Sequence, residues 1–148
     1  MSLSWTDAPF EITTDPARAD VAVIADFLAT SYWAEGIPVA TVAKSIQGSL
    51  CFSLFDGDRQ IGFARVVSDR ATFAYLADVF VHEGYRGQGL AKWLIQCVTQ
   101  HPELQGLRRW MLATRDAHGL YARFGFRPLG HPEIFMERWD PEAYRRRR

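Results

Sequence analysis

The sequence predicts a mixed α/β (α+β) domain: one central, mostly antiparallel sheet with helices on both of its faces. Three observations predict it. Two adjacent apolar runs, "LCFSLFDGDRQIGFARVV" and "TFAYLADVFV", are broken only by turn residues, as consecutive antiparallel strands are. On either side of them, apolar residues recur at helical spacing. The chain is 148 residues long, the size of one ordinary domain, which buries enough surface to fold without disulfides or metals.

Taken in order, "FEITT" from Phe10 to Thr14 alternates and reads as a first strand. Asp15 then offers an N-cap and Pro16 a first-turn proline. The helix that follows carries Val21, Ile24, Phe27 and Leu28 on one face and is expected to run to Tyr32 or Trp33, before Gly36 and Pro38. A short second helix spans about Val39 to Ile46. Asp56-Gly57-Asp58 marks a tight hairpin, because Asp-Gly tolerates positive φ, and Ser68-Asp69-Arg70 marks a looser turn. Three antiparallel strands are therefore expected between Leu50 and His82. In the last of them, period-two alternation places Asp78 on the face of Leu76 and Phe80. Gly89 to about Gln100 is helical, with Leu90, Trp93, Leu94 and Cys97 or Val98 on one face. "LRRWMLAT" is a strand, "DAHGLYARF" is a short helix stopped by Gly125, and "GFRPLG" and "IFMERW" are expected as two closing strands.

With 48% hydrophobic and 23% charged residues, the chain is globular. Lys plus Arg number 17, as do Asp plus Glu, and this balance leaves no footprint for nucleic acid or for an anionic membrane surface. The chain reads as a single domain over 1–148, with 141–148 a flexible basic tail ending in Arg145-Arg146-Arg147-Arg148. Cys51 and Cys97 sit in apolar runs and read as small buried hydrophobes, which fits a reducing compartment. There is no leader pattern at the N-terminus and no long apolar stretch. The expected location is the cytoplasm.

The segment that carries chemistry is "DVFVHEGYRGQGLA", Asp78 to Ala91. A strand runs into a loop holding Arg86, Gly87 and Gly89, and a helix starts at once. A helix start leaves backbone N–H groups without partners, and its dipole favours an anion. Glycines let a phosphate approach the backbone, and Arg86 adds a charged donor. The parts amount to a diphosphate cradle or to a plain tight turn. The Gly-Lys-Ser/Thr ending of a Walker loop is absent, and so is the GxGxxG spacing.

"YRGQGLA" resembles the pyrophosphate motif of the GCN5-related N-acetyltransferase (GNAT) superfamily, Arg/Gln-x-x-Gly-x-Gly/Ala, with Arg86, Gly89 and Ala91 at its defining positions. "LADVFV" is similar to that family's central strand. "ATRDAHGLYARFGF" is similar to its second cofactor motif, with Ala117, Leu120, Tyr121, Gly125 and Phe126 in register. The resemblance implies a sheet whose central strand splays from its neighbour to open a slot for acetyl-CoA. It implies that Phe80 and Val81 offer backbone groups to the pantetheine arm, and that a backbone N–H near Val79 to Val81 faces the thioester oxygen. Arg86, Gly87, Gln88, Gly89, Leu90 and Ala91 would hold the diphosphate. Thr114 stands where the family often carries an asparagine that touches the arm.

By the same resemblance Tyr121 is the general acid that protonates the departing thiolate, a task that suits a phenol still protonated at neutral pH. Asp78, a carboxylate in an apolar strand, is the second catalytic candidate, as acceptor of the amine's proton; a structural ion pair is its other reading. His82, Glu83 and His118 are further base candidates. Too few ligands stand at short spacing for a metal site. Family substrate pockets are lined by the loop between the first two helices and by the last strands, which puts Tyr32, Trp33 and Phe135 at the acceptor, with Glu35, Glu137 and Trp139 nearby. Aromatic walls with a carboxylate suit an organic cation. The expected reaction is direct transfer of an acetyl group from acetyl-CoA to a primary amine of a small molecule. The alternatives are a protein or peptide amine acetyltransferase and a non-catalytic acyl-CoA-binding module. Homodimers are common in the superfamily, and no residue of the sequence decides the matter.

Overall fold

A computed structural model describes residues 1–146. It contains strands β1 (Ser4–Asp7), β2 (Phe10–Thr13), β3 (Leu50–Asp56), β4 (Arg59–Ser68), β5 (Phe73–Val81) and β6 (Arg109–Leu112). Its helices are α1 (Val21–Ala29), α2 (Val39–Gln47), α3 (Leu90–Gln100), α4 (His118–Ala122) and α5 (Ala143–Arg146). The six strands form one sheet in the order β1-β2-β3-β4-β5-β6. Every neighbouring pair is antiparallel except β5 and β6, which run parallel. Among the described residues, no helix is long and apolar enough to cross a membrane.

The core lies on both faces of the sheet. On one face Phe52, Leu54, Val66 and Leu76 pack with Leu90, Leu94, Ile95 and Val98 of α3, and with Tyr121. On the other, Cys51, Phe63 and Phe80 pack with Ile24 and Leu28 of α1 and with Val42 and Ile46 of α2. Asp56-Gly57-Asp58 makes the expected hairpin, with Gly57 at φ 59°.

The structure departs from expectation in four places. An additional strand, β1, pairs with β2 across the Ala8-Pro9 turn. Asp15 caps only a 3₁₀ turn, Pro16–Arg18, whereas Asp20 caps α1 by accepting from the Val23 amide. Helix α1 then stops at Ala29. Ser31 Oγ donates to the Leu28 carbonyl and accepts from the Ala34 amide, a local bonding pattern that competes with helix continuation.

The third departure is a bulge in β5. Phe63 pairs with Phe80 and Arg65 with Ala77, so Asp78 and Val79 together oppose Ala64. Asp78 takes the extra place in the left-handed region, at φ 54°, a conformation that Asp and Asn tolerate best among non-glycine residues. The inserted residue shifts the side-chain phase. Leu76, Val79 and Val81 face α3, while Phe80 faces α1, so Asp78 does not share one face with both Leu76 and Phe80.

Finally, "GFRPLG" and "IFMERW" are not strands. The chain from 126 to 142 carries one 3₁₀ turn, Pro132–Ile134, and β6 pairs only with β5. Pro128 and Pro132 lack the N–H that a ladder needs, and alternation makes a strand only where an edge pairs with it. Ile134, Met136 and Trp139 stay exposed. Within the expected tail, 141–148, residues Ala143–Arg146 form the short helix α5, braced by Arg145–Glu142 and Arg146–Asp140 ion pairs. Arg147 and Arg148 lie outside the described residues.

Candidate active site

The site opens where β5 and β6 part. Their pairing ends at Leu76 with Leu112, yet β5 continues to Val81 and stays paired with β4 on its other side. From Ala77 to Val81 the β6-facing edge of β5 therefore has no partner strand. Such an edge presents unmade backbone hydrogen bonds, which an extended ligand can complete as an added strand. Phe80 and Val81 lie on this stretch, Phe80 stacked on Phe27 with ring centroids 4.0 Å apart.

Past Val81 the chain turns through Glu83–Tyr85 into the loop that starts α3. Gly87 and Gly89 have φ of 82° and 78°, and a Cβ on either would meet no protein atom within 4 Å. The left-handed backbone selects glycine, and the space beside it is open. Gly89 caps α3 without a side-chain bond, and the first helical bond runs from the Trp93 amide to the Gly89 carbonyl. The amides of Leu90 and Ala91 are thus among those left for an anion. Arg86 is tethered by Nε donating to the Val81 carbonyl at 3.1 Å, which leaves its terminal nitrogens to reach outward. Gln88 braces the loop by donating to the Tyr85 carbonyl. These features fit a diphosphate.

Tyr121 sits on α4 across from the parted strands. It is 8% exposed and lines a cavity of about 170 Å³ together with Tyr32, Trp33, Asp78, Thr114 and Asp116. Burial first, then the charges of Tyr32 and Asp116, push its phenol up to about 12. Among the described residues no buried side-chain polar atom lacks a partner, and none of them bonds the Tyr121 hydroxyl, so it opens onto accessible space. Thr114 Oγ1 accepts from the Ala117 amide at 3.1 Å and sets the start of α4.

Asp78 is fully engaged. Its Oδ1 accepts from Trp33 Nε1 at 2.9 Å, and its Oδ2 accepts from Arg65 Nε at 2.8 Å. Tyr32 reaches the other wall, its hydroxyl accepting the Arg115 amide at 2.9 Å. Among the other sequence candidates, His82 Nδ1 accepts from the Gly84 amide and Glu83 is exposed in the turn. His118 faces a second, apolar cavity of about 270 Å³ beyond β6, which Thr114 and Tyr121 line as well. Glu35 and Trp139 meet Tyr32 and Trp33 at an outer groove. Phe135 lies under Arg109, at the opposite end of β6 from the slot, and neither it nor Glu137 lines the Tyr121 cavity.

Sequence reasoning missed Arg65, Arg115 and Asp116. Arg65 had a signal, a lone charge inside the apolar run "IGFARVV" that had to find a partner. The other two lie in a loop, where only the fold shows what they face.

A family model described as an acetyltransferase (GNAT) domain matches residues 47–128. A crystal structure of a GNAT-family protein from Xanthomonas campestris pv. campestris shares 51% identity over 91% of this chain and 96% of its own, with a TM-score of 0.89. A Gibberella zeae protein with a provisional acetyltransferase name is 29% identical over 81% of this chain and 80% of its own. A Clostridium acetobutylicum protein, named as a predicted acetyltransferase and crystallised with acetyl-CoA, shares the fold at 12% identity, with a TM-score of 0.63 over 93% of this chain and 96% of its own.

Proposed function

The chain belongs to the GNAT acetyltransferase family and is an acyltransferase, and we propose that it moves the acetyl group of acetyl-CoA directly to a primary amine of a small molecule. The family generally uses acetyl-CoA, which supplies an activated thioester and a thiolate leaving group. The free amides at the start of α3, with Arg86, bind the diphosphate. The unpaired edge from Ala77 to Val81 orients the arm, and an amide near Val79 to Val81 stabilises the oxygen on which charge develops.

The observation that carries this reading is Tyr121: a buried ring whose hydroxyl keeps its proton, is bonded by no described residue and opens beside the parted strands. The neutral amine adds to the thioester carbonyl. The C–S bond breaks as Tyr121 gives its proton to the leaving sulfur, and the proton shed by the new amide nitrogen, passed through solvent, restores the phenol. Direct transfer is supported by the thiols, since Cys51 and Cys97 are both buried and neither lines the cavity. A small acceptor is supported by volume, because the two cavities that Tyr121 lines, of about 170 and 270 Å³, both fall below the roughly 300–1,000 Å³ of drug-sized pockets. Asp116, on the cavity wall, suits a protonated amine.

Calorimetry with acetyl-CoA tests the donor half, and Arg86→Ala should weaken binding about tenfold, the loss of one charge-assisted contact. Thiol release over a panel of amines tests the acceptor half. Tyr121→Phe should lower kcat by about 10²–10⁴-fold while sparing donor affinity. Unchanged turnover in that variant retires the acid role. Turnover with peptide lysines but with no small amine reassigns the acceptor class.

A further inference from the structure

Tyr32 and Trp33 are neighbours in sequence, yet they are fastened to opposite walls of the opening between β5 and β6. Trp33 Nε1 donates to Asp78 on β5 at 2.9 Å. Tyr32 accepts from the amide of Arg115, on the segment that leaves β6, at 2.9 Å, and the Arg115 guanidinium lies 3.9 Å over the Tyr32 ring. The two rings meet edge to face, with centroids 5.1 Å apart. The loop thus crosses the gap at the place where the sheet no longer bridges it.

The same two residues form a partition. They line the inner cavity of about 170 Å³ that holds Tyr121. They also line two outer grooves, of about 490 and 690 Å³. No other described residue lines all three. On the β5 side the anchor is itself secured: Arg65 bonds Asp78 with Nε and Ser49 with a terminal nitrogen. Asp78 also holds the left-handed place in the bulge. A carboxylate that accepts from two fixed donors is suited to holding a shape, because moving it disturbs both partners.

We propose that Tyr32 and Trp33 act as a strap that sets the size of acceptor admitted to the inner cavity, with Asp78 as its anchor and so a positioning residue, not the group that takes the amine's proton. This rests on the acetyl-transfer reading above. The strap confines acceptance to small primary amines. With either fastening cut, the inner cavity joins the groove of about 490 Å³ that Glu35 and Trp139 also line, and bulkier amines enter on the side away from Arg86, which lines the other groove.

Three measurements on the full chain test it. Trp33→Phe keeps an aromatic side chain and removes the pyrrole ring with the N–H that reaches Asp78, whereas Tyr32→Phe keeps its ring and removes only the hydroxyl that accepts from the Arg115 amide. If the loop is one strap, cutting it at β5 loosens the fastening on the other wall, and hydrogen exchange at the Arg115 amide speeds up at least about fivefold. Unchanged exchange at Arg115 overturns the strap, and this readout needs no acceptor. The second measurement is thiol release with ethylamine, benzylamine and tryptamine. In Trp33→Phe and in Tyr32→Phe the kcat/KM ratio of tryptamine to ethylamine should rise about tenfold, with the acetyl-CoA Kd within about twofold of wild type. A ratio unchanged in both variants overturns the size role. If acetyl-CoA binds and no variant acetylates any amine, the amine-transfer reading has failed, and Arg115 exchange alone decides the strap. For the anchor, Asp78→Asn should lower turnover and leave the acid limb of the pH–kcat profile in place. Loss of that limb makes Asp78 the proton acceptor and overturns the positioning role.

Discussion

The hydroxyl of Tyr85 donates to Oδ2 of Asp56 at 2.6 Å, tying the loop that starts α3 to the β3–β4 hairpin. The two residues are 29 positions apart. The bond fixes the approach of Arg86 and Gly87 from a point outside the site. Tyr85→Phe removes that bond and keeps the ring, which packs edge-on against Phe10. Acetyl-CoA affinity should fall about three- to tenfold, the worth of one hydrogen bond of roughly 1 kcal/mol, while kcat at saturating donor is unchanged. Calorimetry and initial rates check both halves.

Gly89 separates a ligand effect from a backbone effect. At φ 78°, an alanine there costs about 1–2 kcal/mol, roughly 3–6 °C in Tm for a chain of this size. Gly106 is also left-handed, at φ 74°, and lies in the loop before β6, away from the slot. Gly89→Ala and Gly106→Ala should lose similar stability, and only the first should lose acetyl-CoA binding. Equal binding in both variants would remove the diphosphate role from the start of α3.

Tyr121 sets an alkaline signature. Its phenol is pushed up to about 12, chiefly by burial, from the 10.0 of an ordinary tyrosine. A raised value means the folded state holds the proton more tightly. The stability this contributes is complete below pH 10 and is lost as pH rises towards 12. For catalysis the acid form persists through the working range, so Tyr121 produces no alkaline fall in kcat below about pH 10. A pH–rate profile of wild type checks this, and Tyr121→Phe should be slow at every pH.

Much of this was legible in the sequence where chemistry is specific to a residue type. Gly87 and Gly89 take positive φ, and a glycine pair opening a helix announces that need. Asp56-Gly57-Asp58 announces its turn in the same way. The bulge at Asp78 was not legible, because one inserted residue reverses every later side chain while leaving composition untouched. Strand alternation was therefore right for Ala74 and Leu76 and out of phase for Phe80. The helical spacing runs on to Tyr32 and Trp33, past the point where α1 ends at Ala29. Ser31, which diverts the backbone, is too common a residue to stand out. The closing strands failed for a different reason: pairing is a property of two segments, and alternation in one of them does not supply the partner.

Both cysteines should be silent in the native protein. Burial pushes Cys51 and Cys97 up to about 12, so the thiolate that reacts is scarce at neutral pH. An aromatic disulfide reagent at pH 8 should modify neither thiol over minutes and both once the chain is unfolded in guanidinium. Fast native reaction at Cys51 would mean that the packing of α2 against the sheet opens readily.

Gly62 tests whether the bulge is held from the β4 side. It pairs with Val81 just past the irregularity. A Cβ built there would stand 2.9 Å from the Phe80 carbonyl oxygen and 2.9 Å from Leu54 Cδ2. The Leu54 side chain is wholly buried and the carbonyl is backbone, so neither yields without moving a strand. Gly62→Ala should therefore cost about 1–3 kcal/mol, as an overpacked core does, and lower Tm by roughly 3–10 °C. The strain relaxes most readily by sliding β5 against β4, because the bulge is already the weakest point of that ladder. That slide carries the Val79 to Val81 backbone with it, so turnover should drop more than acetyl-CoA affinity does. A variant with the expected loss of Tm but wild-type kcat would show that the strain goes towards β3 and that the slot is insulated from it.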